Sequence, residues 1–69
     1  MEFHVILKAR RVMAGLTQSQ LAKMAGVTES SISYYESGDR IPVVKTADKL
    51  AQALGCTLND LFEFPEVEQ

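Results

Sequence analysis

Apolar residues recur along this chain at helical spacing in five stretches, with glycines or polar clusters between them. Phe3, Leu7, Arg11 and Ala14 share one face of a first helix, which Gly15 ends. Thr17 opens a second helix, and Thr17 with Gln20 has the Thr-x-x-Gln spacing of a capping box. Leu21, Ala22 and Ala25 are its inner face, and Gly26 stands where a helix end needs left-handed backbone. Thr28 caps a third helix, with Ile32 and Tyr35 turned inward. The run SGDRIP, from Ser37 to Pro42, reads as a loop. Val44, Ala47, Leu50, Ala51 and Leu54 line a fourth helix up to Gly55. Thr57 caps a short fifth one with Leu58, Leu61 and Phe62 as its apolar side, and Pro65 ends regular structure. No stretch requires a strand. The pattern predicts one all-α domain of five helices over residues 1–65, followed by an acidic tail at 66–69.

The break between the second and third helices is short, and the third begins almost at once. Two short helices joined by a tight glycine turn describe a helix-turn-helix. In such a pair the second helix enters a DNA major groove, so its outer face must be small or polar near the N-terminus. Glu29, Ser30, Ser33 and Tyr34 supply such a face. A plain αα-hairpin with a solvated outer side has the same spacing, and spacing alone leaves both readings open.

Composition narrows the function classes. The chain has 69 residues, 46% hydrophobic and 23% charged, an ordinary balance for a single small domain. Its one cysteine, Cys56, cannot form an internal disulfide, and no Cys or His pair has zinc spacing. His4 has no nucleophile or second base near it in the sequence. No paired carboxylates, metal set or activated nucleophile can be assembled, so no enzyme, metal or cofactor is expected. No apolar run approaches the ~20 residues needed to span a bilayer, which predicts a soluble cytoplasmic protein.

The net charge of −2 argues by itself against a nucleic-acid partner, but the charge is segregated. All 7 lysines and arginines lie between Met1 and Lys49, whereas Asp60, Glu63, Glu66 and Glu68 follow with no base. An acidic end on a mildly basic body suits a molecule with one DNA-facing side.

The segment GLTQSQLAKMAGVTESSISYYESG, from Gly15 to Gly38, resembles the core of the lambda repressor and Cro-like (XRE-type) helix-turn-helix family. The Gly-Leu-Thr-Gln start, the Leu-Ala before the turn, the Gly-Val-Thr turn and the Ile-Ser-x-x-Glu-x-Gly run carry the likeness. KLAQALGCTLNDLF, Lys49 to Phe62, is similar to the family's last two helices, with Cys56 at a small core position. The resemblance spans Leu7 to Phe62. It implies a compact five-helix DNA-binding fold and a transcriptional regulator, a repressor by preference, that occupies a double-stranded operator.

Residue by residue, the resemblance implies base reading by Glu29, Ser30, Ser33 and Tyr34. It implies phosphate contacts by Gln18 and Thr17 at the start of the second helix, Arg40 in the loop, and Lys45 with the backbone N–H groups beside it. It pairs Arg11, a charge inside an apolar stripe, with Glu36, since a buried arginine needs a partner. The chain departs from the family pattern at Arg10, where an apolar residue is usual, so Arg10 is expected to snorkel out or touch DNA. Asp39 and Ile41 replace positions that are often basic.

A single reading helix covers too few base pairs to single out a site, so a homodimer is expected, built on Leu58, Phe62 and Phe64. After five helices little chain remains for a sensing domain, so no small-molecule ligand is expected. The competing reading is a protein-interaction module of the same fold, such as an antitoxin-type or antirepressor-like partner, which the acidic pI near 5.2 favours.

Overall fold

The computed structural model describes residues 2–62, which form α1 (Phe3–Met13), α2 (Gln18–Ala25), α3 (Glu29–Ser37), α4 (Val44–Ala53) and α5 (Leu58–Leu61). Among the described residues there is no strand, in keeping with the all-α expectation. Phe64, Pro65 and the acidic tail lie outside the described residues.

The threonines start the helices as their spacing predicts. Thr17 Oγ1 accepts the Gln20 backbone N–H at 3.0 Å while Gln20 Oε1 accepts the Thr17 N–H at 2.8 Å, closing the capping box. Thr28 Oγ1 accepts the Ser31 N–H at 3.1 Å. Thr57 forms a second capping box, closed by Asp60, whose Oδ2 accepts the Thr57 N–H at 2.9 Å. The backbone N–H and the hydroxyl of Thr57 hold the Asp60 carboxyl below its ordinary range, and Arg10 adds to this.

Each helix commits one branched side chain wholly to the interior: Leu7, Leu21, Ile32, Leu50 and Leu61. Burying such a side chain stabilises by roughly 1.5–3 kcal/mol. Ala22, Ala25, Ala47 and Ala51 are buried among them and let the helix axes approach closely. Phe3 covers one end, its ring stacked on Phe62 with centroids 4.6 Å apart. Cys56 is half-buried against the core, and burial pushes its thiol pKa up, away from nucleophilic chemistry.

Two positions differ from the periodic reading. Ala14 is exposed because α1 stops at Met13 and Ala14 is only its cap. Val44 is 70% exposed because it opens α4 a turn before the core is reached at Ala47. Periodicity gives the side of a helix that faces inward, not how far along it neighbours extend.

The turn that aims α3 is built at Gly26, with φ 73°. The Val27 N–H reaches back to the Ala22 carbonyl at 2.9 Å and the Gly26 N–H to Lys23 at 3.3 Å, a Schellman ending whose apolar residue, Val27, packs on the core. A Cβ at Gly26 would meet no atom within 4 Å, so Gly26→Ala should cost only the left-handed strain, about 1–2 kcal/mol. At Gly38, φ 86°, a Cβ would lie 3.3 Å from the His4 ring. Gly38→Ala should therefore destabilise more than Gly26→Ala in urea unfolding, and a His4→Ala background should remove the difference.

Candidate nucleic-acid interface

The outer side of α3 has the composition that a groove demands. Glu29, Ser30, Ser33 and Tyr34 are all exposed, while Ile32 and Glu36 on the opposite side are buried. Hydroxyls dominate the first turn and let another surface approach closely. Tyr34, 42% exposed, is the one large residue among the four. The Arg40 guanidinium lies over its ring, 4.5 Å from the centroid.

Beneath this face sits the buried charge. Arg11 Nε donates to Glu36 Oε2 at 2.6 Å and Nη2 to Oε1 at 3.1 Å, a two-pronged ion pair with side chains only 12% and 4% exposed. Arg11 Nη1 also donates to the Leu16 carbonyl at 2.7 Å. The hydrogen bond to Glu36 raises the Arg11 pKa against the opposing effect of burial. The pairing that the family resemblance implies is therefore present.

Gln18 joins the same cluster. Its side-chain amide donates to Glu36 Oε1 at 3.1 Å, so Glu36 ties α3 to the start of α2 as well as to α1. The side chain expected at a phosphate is thus engaged from within. The helix start still leaves the first N–H groups of α2, at Gln18 and Ser19, without intrahelical acceptors. Thr17 is exposed, and its hydroxyl serves the capping box.

Lys45 is exposed in the first turn of α4, whose N-cap residue, Val43, provides no side-chain cap. Ile41, Val43 and Val44 around it are 71%, 70% and 70% exposed, an apolar group the periodic reading did not anticipate. Arg10 keeps its charged end at the surface, with the side chain 41% exposed. It donates to the Asp60 carbonyl at 3.3 Å and approaches the Asp60 carboxylate at 3.9 Å, so it fastens α1 to α5. The pair is about half-exposed, and such pairs contribute about 0–1 kcal/mol.

The expected dimer residues are brought together only in part. Leu58 and Phe62 are half-buried, and one face of Phe62 is covered by Phe3 of the same chain. Three contacts had no signal in the sequence: Gln18 with Glu36, Arg40 with Tyr34, and Arg10 with Asp60. Each joins residues that do not share a helix, so the periodicity within one element cannot connect them.

Among the described residues, no three His, Cys, Asp or Glu side chains are gathered as a metal would need, and no helix is long and apolar enough to cross a membrane.

The family model for helix-turn-helix proteins matches residues 7–61, and the chain belongs to that family, in its lambda repressor-like, XRE-type branch. An HTH-type transcriptional regulator of Archaeoglobus fulgidus is 36% identical over 62 residues, 90% of this chain and 87% of the relative. The restriction-modification controller protein C.AhdI of Aeromonas hydrophila superposes with a TM-score of 0.85 at 33% identity, over 87% of this chain and 91% of that one. The P22 c2 repressor, solved in complex with a synthetic operator, gives 0.86 at 28% identity over 91% and 96%.

Removing one member of a buried ion pair strands the other, a cost of about 3–5 kcal/mol. Arg11→Ala and Glu36→Ala should each lower unfolding free energy by about that amount, enough to unfold much of so small a domain. Arg11→Met combined with Glu36→Leu should be milder than either. An Arg11→Ala protein that melts like the parent would overturn the structural role of the pair.

Proposed function

We propose that this chain is a sequence-specific double-stranded DNA-binding regulator, by preference a repressor, that lays α3 in the major groove as a homodimer. One observation carries the reading: the exposed side of α3 is small and hydroxyl-bearing with a single aromatic, and the side beneath it is locked by a buried ion pair. A plain hairpin has no need of that rigidity. Ser30 and Ser33 donate or accept at base edges, Tyr34 supplies an apolar face with a polar tip, and Glu29 accepts from a cytosine amine. Lys45, Arg40 and the first N–H groups of α2 and α4, with the hydroxyl proton of Thr17 and the second amide proton of Gln18, hold phosphates and set the register.

The homodimer reading rests on the need for two reading helices spaced by roughly 34 Å, one turn of DNA. Leu58 and Phe62, both half-buried, are the described residues proposed for the self-complementary surface, and Phe64, proposed with them, lies outside the described residues. The P22 c2 repressor, crystallised with an operator, supports the operator half of the proposal.

The net charge of −2, with Glu29 on the face itself and Asp39 close after it, favours a second reading, a protein-interaction module of the same fold. Selection from a random DNA pool and titration against salt separate the two. A regulator should enrich a palindromic site, and its affinity should fall steeply with salt, by a log–log slope of about −0.9 for each phosphate neutralised.

Tyr34→Ala should change the preferred sequence while leaving the fold intact. Lys45→Ala should weaken all sequences alike and reduce the slope by about 1. Sedimentation of wild type and Leu58→Asp, with and without the selected site, checks the dimer. A Leu58→Asp protein that still pairs on DNA while Val44→Asp does not would move the interface to the start of α4.

A further inference from the structure

We infer that Arg40 is a specificity-positioning residue, holding the Tyr34 ring in one orientation on the reading face so that base preference at the Tyr34 position depends on Arg40 as well. The inference rests on the reading of α3 as a DNA-reading helix and adds a residue to its specificity.

The stack is built by the backbone. α3 ends at Ser37, and Gly38 turns the chain back with φ 86°. The Asp39 N–H then reaches the Tyr34 carbonyl at 3.1 Å, and the Arg40 N–H reaches the same carbonyl at 3.4 Å. Ser37 fastens the turn from both sides: its hydroxyl donates to the Tyr34 carbonyl at 3.0 Å and accepts from the Asp39 N–H at 3.3 Å. Two residues further on, Pro42 is buried and pins the chain again. The backbone of Arg40 is therefore set relative to that of Tyr34 before either side chain is considered, and the guanidinium comes to rest 4.5 Å from the ring centroid.

An aromatic side chain exposed on a helix surface otherwise has rotamers to choose between, and each is a different shape offered to a base pair. A guanidinium on one face of the ring removes part of that choice. A planar guanidinium over a ring can lie face to face with it and keep N–H donors at its edge for a phosphate or a base. A lysine ammonium keeps the charge but has no plane to stack. Arg40 thus does two separable things: its charge adds to affinity for any DNA, and its plane sharpens the choice of sequence.

The test uses the whole chain and four variants: Arg40→Lys, Arg40→Ala, Tyr34→Phe and Tyr34→Ala. In the free protein, the Arg40 δ-protons should be shifted upfield by the ring current of Tyr34, retain that shift in Tyr34→Phe, and lose it in Tyr34→Ala. Random-coil δ-proton shifts in the wild type would overturn the stack itself. On DNA, Arg40→Lys should keep the wild-type salt slope while losing discrimination at one base pair per half-site by about tenfold. Arg40→Ala should lose that discrimination and also lower the slope by about 1. Urea unfolding of Arg40→Lys should match wild type, which separates positioning from a general loss of structure. A wild type that enriches no sequence removes the DNA reading and this inference together. A wild type that enriches a site, with both Arg40 variants enriching the same site at the same stringency, overturns this inference alone.

Discussion

Glu36 carries a carboxylate into a place from which water is nearly excluded, and the first three helices are arranged around the answer to it. Arg11 from α1 meets it with two N–H groups, Gln18 at the start of α2 adds a third donor, and the remaining guanidinium reach of Arg11 goes to the Leu16 carbonyl between those helices. Every buried polar side-chain atom among the described residues has a partner, so the charge is compensated and not merely tolerated. A hydrophobic contact can slide by a fraction of an ångström at little cost. A two-pronged ion pair with a third donor cannot, and so the angle and register of α3 against α1 and α2 are held more tightly than apolar packing alone would hold them.

That rigidity connects the interior to the exposed face of α3. Glu36 and Tyr34 lie on opposite sides of the last turns of one short helix, and the carbonyl of Tyr34 is where the chain leaving that helix is tied down. A shift of α3 in its seat would move Ser30, Ser33 and Tyr34 together with the loop that carries Arg40. In a DNA-reading helix, hydrogen-bond geometry to base edges is the source of discrimination, and small misplacements remove it. In the proposed DNA-reading role of α3, the buried pair would serve recognition indirectly, by fixing the seat of the helix.

The rest of the core is economical. Among the described residues, one wholly buried branched side chain per helix, buried alanines and Phe3 stacked on Phe62 make up most of the interior. Apolar surface left outside this core falls mainly in two places, Val5, Val12 and Met13 along α1, and Ile41, Val43 and Val44 beside Arg40 and Lys45. The charged and apolar parts of the α3–α4 region therefore occupy the same stretch of surface.

The five helices, their threonine caps and their glycine ends were legible in the sequence because each depends on residues within one or two turns of each other. Thr17 and Gln20, Thr28 and Ser31, and the residues around Gly26 need no distant partner to make their contacts. The exposed face of α3 was legible for the same reason, since periodicity alone separates Ser30, Ser33 and Tyr34 from Ile32. The Arg11–Glu36 pair came from family resemblance, and a charge in an apolar stripe was its only local sign. What the tertiary structure decided is where long side chains end. Gln18 turns to Glu36, Arg10 to Asp60, Arg40 onto Tyr34, and Val44 falls beyond the core its stripe pointed to. A flexible side chain of four or more bonds can reach any of several elements. Only the packing of helices distant in the chain sets which one lies within reach.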